Sequence, residues 1–103
     1  VDLKLLGSSP WQWSITFAPE DSCFIGHFPA QPVVPGTYIL ALCMHCLHAI
    51  TSCKTLAVER FSFLRFADPG DYVLSIIPDN NVFRCTLSQG ALVFAQGSIA
   101  LCV

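Results

Sequence analysis

Residues 35–50 read PGTYILALCMHCLHAI, a run that opens on the Pro35-Gly36 pair and then carries no Pro, Gly, Asp, Glu, Lys or Arg as far as Ile50. Proline has a fixed φ and no backbone N–H, so Pro35 suits a first helical turn, and nothing after Gly36 interrupts the helix it starts. The sequence therefore predicts a helix over about 36–50 that is apolar on nearly every side. Such a helix belongs in an interior, so the rest of the chain has to wrap around it.

The flanking sequence provides the wrapping. On the N-terminal side, WQWSITFA (11–18) alternates large apolar with polar side chains, the period of a half-buried strand. Pro29, Pro32 and Pro35 then remove donors and fix φ, so Cys23 to Pro35 reads as an irregular, stiff loop. On the C-terminal side, 54–66, 71–78, 82–89 and 91–102 are β-rich runs, broken at Pro69-Gly70-Asp71, at Pro78-Asp79-Asn80-Asn81 and at Gln89-Gly90. The expected order is strand, loop, buried helix and four hairpin-linked strands. That is an α+β fold, a single domain over 1–103 in which a curled antiparallel sheet surrounds one long central helix.

The chain is 53% hydrophobic and 12% charged, about half the usual share of charge. One domain of this size cannot hide so much apolar surface, which predicts an oligomer with an apolar interface. A net charge of −2, with Lys4, Lys54, Arg60, Arg65 and Arg84 as the permanent cations, gives no dense basic stripe for a phosphate backbone, so nucleic acid is not an expected partner. No apolar run reaches the roughly 18–20 residues that span a bilayer, and VDLKLLGSSP lacks the apolar core of a signal peptide. The expectation is a soluble, cytoplasmic protein without a membrane partner.

Cysteines 23, 43, 46, 53, 85 and 102 read as reduced thiols, four of them in apolar surroundings where Cys acts as a small hydrophobe. Cys43 and Cys46 form a C-x-x-C with His45 and His48 interleaved. A zinc site needs a second ligand pair, and a redox pair normally opens a helix, whereas this pair falls in mid-helix. The reading calls for no metal and no cofactor.

His27 is the histidine outside the helix, set between Gly26 and Phe28 at the entrance to the proline loop. Imidazole titrates near neutrality, so in an apolar pocket it can take a proton from an activated carbon and return it. A loop histidine bonded to backbone is the simpler alternative. Gly36, at the start of the buried helix, lets a substrate approach the backbone while its N–H points out from the positive helix end, the arrangement of an oxyanion site for a thioester carbonyl. A plain helix start would also explain it.

Taken together, GHFPAQPVVPG (26–36) resembles the signature of the 3-hydroxyacyl-acyl-carrier-protein dehydratases, and RFSFLRFADPGDYVLSI (60–76) is similar to that family's strand ending in Pro-Gly-Asp. The resemblance covers roughly 11–102, with the family's N-terminal helix and leading strand shortened. It implies a hot-dog fold and a homodimer, or a higher oligomer, whose helices lie side by side with acyl tunnels at the interface. It also implies a reaction, loss of water from a 3-hydroxyacyl thioester, carried by acyl carrier protein or coenzyme A, to give the trans-2-enoyl thioester. His27 then matches the base that removes the C2 proton, and the Gly36 N–H matches the donor to the thioester oxygen. Phe24, Phe28, Pro35 and Ala41 would line the substrate site.

The same resemblance implies a carboxylic acid six residues into the helix from the proline, contributed by the partner subunit, which protonates the departing hydroxyl. That position is Ala41, and no carboxylate occurs between Asp21 and Glu59. His45, one turn beyond Ala41, is the leading substitute acid, ahead of His48 and Cys43; an interior His bonded to a carbonyl is the alternative. Two readings therefore stand, a dehydratase of acyl-chain metabolism and a non-catalytic acyl-thioester-binding module that has lost its acid. A thioesterase ranks third, since it too would want a helix carboxylate. Trp11, Trp13, Phe17, Phe61, Phe63 and Phe66 read as core aromatics, with 61, 63 and 65 on one strand face and 64 and 66 on the other. Arg60, Arg65 and Arg84 are either ordinary surface residues or contacts for an acidic carrier or its phosphopantetheine arm.

Overall fold

Among the described residues the elements are β1 (Asp2–Ser8), β2 (Trp11–Phe17), α1 (Gly36–Ile50), β3 (Thr55–Phe63), β4 (Gly70–Asp79), β5 (Val82–Gln89) and β6 (Leu92–Cys102). The six strands form one antiparallel sheet in the order β1-β2-β4-β5-β6-β3, and the helix lies against one of its faces. This is a computed structural model, and it describes residues 1–21, 33–51 and 55–102. The α+β arrangement expected from the sequence is present, and α1 occupies the expected span.

The period-two alternation decides which face the helix meets. Trp13, Ile15 and Phe17 of β2, Tyr72, Leu74 and Ile76 of β4, Cys85 and Leu87 of β5, and Ala95 and Ile99 of β6 are all buried on the helix side. Each large aliphatic side chain so buried contributes about 1.5–3 kcal/mol. The opposite face is polar. Gln12 donates from Nε2 to the Ser75 hydroxyl at 3.2 Å, and the Thr16 hydroxyl donates to Asp71 Oδ1 at 2.6 Å across the β2–β4 pair. Helix α1 answers with Ile39, Cys43, Cys46 and Leu47, all buried and spaced to one side of a helix.

Four sequence expectations change. First, a strand that the sequence did not reveal leads the chain. β1 pairs with β2 in register from Asp2↔Thr16 to Ser8↔Trp11, so the leading strand that the resemblance implied to be shortened spans seven residues. Second, β3 and β4 are not a hairpin, because β3 pairs with β6 at the far edge and residues 64–69 cross over. Third, β3 stops at Phe63 instead of running to 66, because the next two N–H groups, of Leu64 and Arg65, both turn to the Phe94 carbonyl at 2.8 and 3.3 Å. Fourth, Pro35 is the residue before the helix, with φ −59° and ψ 140°. Its carbonyl accepts from the Tyr38 and Ile39 N–H groups at 3.0 and 3.2 Å.

The wrapping of α1 covers one side. Thr37, Ala41, His45 and His48 form a stripe at helical spacing that is exposed in the single chain. Val58, Phe63, Leu64 and Phe66, on β3 and just after it, are also large apolar side chains left exposed.

The β3–β6 contact leaves no room for a side chain at Gly97. A Cβ there would collide with the Arg60 carbonyl oxygen and lie 2.8 Å from the Phe61 Cα, both of them β3 backbone that cannot swing aside. The β3 register shift between Val58 and Arg60 falls at the same place. Gly97→Ala should therefore destabilise the fold by about 1–3 kcal/mol, read as a lower urea midpoint at constant slope. Gly7→Ala, where a Cβ meets nothing within 4 Å, should stay within about 0.5 kcal/mol. Equal midpoints for the two variants would contradict this account of the β3–β6 contact.

Candidate functional site

The start of α1 is placed by a chain of backbone contacts that begins in the core. Phe94 is buried, and its ring meets Tyr72 edge-on at 5.1 Å. Tyr72 in turn packs against Phe17 at 5.7 Å, and Phe17 against Tyr38 of the first helical turn at 6.3 Å. The Phe94 carbonyl holds the segment after β3, as described above, and that segment holds the helix lead-in, since the Val34 N–H donates to the carbonyl of buried Ala67 at 2.8 Å. The Pro-Gly-Asp turn that follows is stitched down as well. The Tyr72 hydroxyl donates to the Asp68 carbonyl at 2.7 Å, and Gln89 Nε2 donates to the Asp71 carbonyl at 3.0 Å. Burial, with Asp68 close by, pushes the Tyr72 hydroxyl above its ordinary pKa, so it stays a neutral donor.

Between the lead-in and the end of β3 lies a pocket of about 220 Å³, bounded by residues 33–36, Ile39, Phe63, Arg65 and Phe66. Its lining residues are apolar apart from Arg65. Gly36 faces the Phe63 ring, and a Cβ at Gly36 would sit 3.0–3.1 Å from three atoms of that ring. The missing side chain therefore has a structural consequence, a closer approach of Phe63 to the helix start. The N–H groups of the first helical turn lack partners within the helix, so Gly36 brings a backbone donor and the positive helix end to an apolar wall. The volume is below the roughly 300–1,000 Å³ of most small-molecule pockets. The described residues of one chain thus enclose less room than such a pocket holds.

Pro35 and Gly36 are at this pocket. Ala41 and His45 are not. They lie on the exposed stripe of α1, and nine residues of helix put His45 about 13 Å along the axis from Gly36. His27, Phe24 and Phe28 lie outside the described residues. Phe63 and Phe66, expected in the core, are instead exposed and border the pocket together with Arg65. The available signal was the polarity of Arg65 between two aromatics that the strand end leaves exposed, Phe63 at 49% and Phe66 at 79%.

The C-x-x-C lies away from this pocket. Cys43 and Cys46 are buried free thiols, as is Cys85 on the facing strand. A hydrogen bond to Cys85 and burial hold the Cys43 thiol well above its ordinary range, and burial with Cys85 nearby pushes Cys46 up to about 11. Both remain protonated packing groups near neutral pH. No helix among the described residues is long and apolar enough to cross a membrane.

Comparison with solved structures finds the same architecture. A chain of the dehydratase heterocomplex ApeI:P from Xenorhabdus doucetiae aligns over 90% of this chain and 87% of its own, with 24% identity and a TM-score of 0.78. An uncharacterised protein from Erwinia carotovora subsp. atroseptica aligns over 97% and 89%, with 22% identity and a TM-score of 0.66. A phenylacetic acid degradation-related protein from Ralstonia eutropha JMP134 aligns over 96% and 83%, with 16% identity and a TM-score of 0.50. At these identities the likeness is one of fold, the hot-dog fold. No curated protein sequence matches the chain significantly. The ApeI-like family, described as ApeI dehydratase, matches residues 6–97; with nearly the whole sheet, the helix and the Gly36 pocket inside that match, the chain belongs to the ApeI-like dehydratase family.

Proposed function

We propose that the chain binds a 3-hydroxyacyl thioester and takes part in its dehydration to the trans-2-enoyl thioester, with the acyl group carried by acyl carrier protein or coenzyme A. The observation that supports this most is the apolar pocket opening onto the first turn of α1 at Gly36. The Gly36 N–H would donate to the thioester carbonyl oxygen and stabilise the enolate-like charge that grows there as the C2 proton leaves. His27, nine residues before Gly36, would take that proton. The C2–H electrons form the C2=C3 bond, the C3–O bond breaks, and the hydroxyl leaves as water once it gains a proton.

That second proton defines the partner. Ala41 has no proton to give, and it stands on the exposed side of the helix together with His45. A second hot-dog chain packed over this stripe and over Val58, Phe63, Leu64 and Phe66 would cover the exposed apolar surface and complete the undersized pocket. In a homodimer the facing helix brings His45 as the available acid. In a heteromer the facing helix can bring a carboxylate, a possibility given weight by the ApeI dehydratase, which is found in a heterocomplex. Ala41 also favours a second reading, in which the chain binds and positions the acyl group and the chemistry belongs to another subunit.

Two experiments test this. Hydration of a short trans-2-enoyl thioester, followed by loss of the conjugated absorbance, should fall by about 10²- to 10⁴-fold in His27→Ala; an unchanged rate would remove His27 as the base. Ala41→Glu, at an exposed helical position, should leave stability within about 0.5 kcal/mol. In the homomer it should raise the rate by a factor on the order of 10² or more. No gain in Ala41→Glu, together with loss of the basal rate in His45→Ala, would assign the acid to His45 instead.

A further inference from the structure

The polar face of the sheet, on the side away from α1, carries a second concavity that the pocket chemistry does not use. Its volume is about 310 Å³, and Arg60, Ser62, Arg84, Thr86, Gln96 and Ser98 surround it, with Cys85 and Gly97 beneath. The strand register explains the gathering. Ser98 of β6 pairs with Arg60 of β3 on one side and with Arg84 of β5 on the other, so Arg60, Ser98 and Arg84 form one cross-strand row. Gln96 pairs with Ser62 and Thr86 in the same way, which gives a second row two residues along. Strands lie about 4.8 Å apart, so the two arginines rise from points roughly 10 Å apart with a hydroxyl between them.

This concentration of positive charge is not a by-product of a basic surface, because the chain has a net charge of −2 and only five Lys and Arg residues. Two of the five are in this groove. Among the described residues the acid engaged with them is Asp79, whose Oδ2 accepts from Arg84 Nε at 2.7 Å. That bond uses one of the five N–H donors of the guanidinium and leaves its terminal nitrogens free to bind elsewhere. Among the described residues no carboxylate is paired with Arg60. Two arginines, three hydroxyl side chains and a carboxamide line the groove with no carboxylate among them, a donor set that suits a doubly charged tetrahedral oxyanion.

We propose that this groove is a phosphate-binding site for a ligand carrying a phosphate monoester, held between Arg60 and Arg84 over Ser98. It stands on the face opposite the Gly36 pocket, and its occupancy does not depend on turnover there. The phosphate could belong to a free phosphate ester or to coenzyme A, whose 3′-phosphate is a monoester.

Isothermal titration of the intact chain at low salt, with inorganic phosphate, coenzyme A and dephospho-coenzyme A, tests the site directly. Saturable binding of phosphate should weaken by about ten- to a hundredfold in Arg60→Gln/Arg84→Gln, and by a similar factor in Ser98→Asp, which places a carboxylate at the centre of the row. Lys4→Gln, on the opposite edge of the sheet, should bind as the wild type does, which separates the site from a general charge effect. Unchanged circular dichroism and melting temperature would show that the variants are folded. Coenzyme A binding at least tenfold more tightly than dephospho-coenzyme A would assign the monoester to coenzyme A, whereas phosphate binding without that difference would assign it to a free ester. No saturable binding of phosphate or coenzyme A by the wild type, or equal binding by wild type and the double variant, would overturn the proposal. Neither result would bear on dehydration, which is read from the enoyl thioester.

Discussion

An uncharged helix of 15 residues needs cover from water, and the sheet is shaped around that need. Ile39, Cys43, Cys46 and Leu47 press on an inner sheet face made of every second residue of β2, β4, β5 and β6. The cover reaches only one side of the helix. The other side, with Thr37, Ala41, His45 and His48, is exposed in the single chain, as are the apolar side chains around the end of β3. The constraint that builds the fold thus also leaves a surface suited to a second chain. That surface lies next to the pocket whose completion the proposed chemistry requires.

Positioning of the pocket depends on a few backbone hydrogen bonds rather than on charged side chains. The Phe94 carbonyl turns the chain out of β3, and the Ala67 carbonyl then receives the Val34 N–H, so the residues just before α1 are fixed on the core. The aromatic series Phe94, Tyr72, Phe17 and Tyr38 ties the same segment to the first helical turn from beneath. Phe63 can then lie against Gly36 because no Cβ intervenes. An apolar wall beside a helix N-terminus is a setting in which a backbone N–H acts strongly on a developing oxyanion, since little water competes for it.

Much of this was legible in the sequence because the signals were local. The uncharged run after Pro35 defined α1, the alternation in WQWSITFA defined β2, and the turns at Asn80 and Gly90, both with positive φ, fell where turn residues clustered. β1 escaped notice because nearly all of its residues are exposed and its leucines do not alternate. The far-edge position of β3 escaped because pairing with β6 is a long-range choice, settled by where the crossover 64–69 is held, and no local pattern records it. Pro35 and Gly36 were readable from helix-start chemistry as residues to look for beside a pocket. Phe63 and Phe66 were not, because alternation of aromatics looks the same in a strand that continues and in one that stops. The histidine at position 27 and its neighbours Phe24 and Phe28 lie outside the described residues, so their roles rest on the sequence.

Dehydration as proposed requires the acyl thioester to seat its carbonyl at the start of α1. A crystal structure with a stable amide analogue of a 3-hydroxyacyl pantetheine tests it most directly. The account predicts the analogue's carbonyl oxygen about 2.7–3.1 Å from the Gly36 nitrogen, with the acyl chain against Ile39 and Phe63. An analogue bound elsewhere, with its carbonyl out of reach of Gly36, would contradict it.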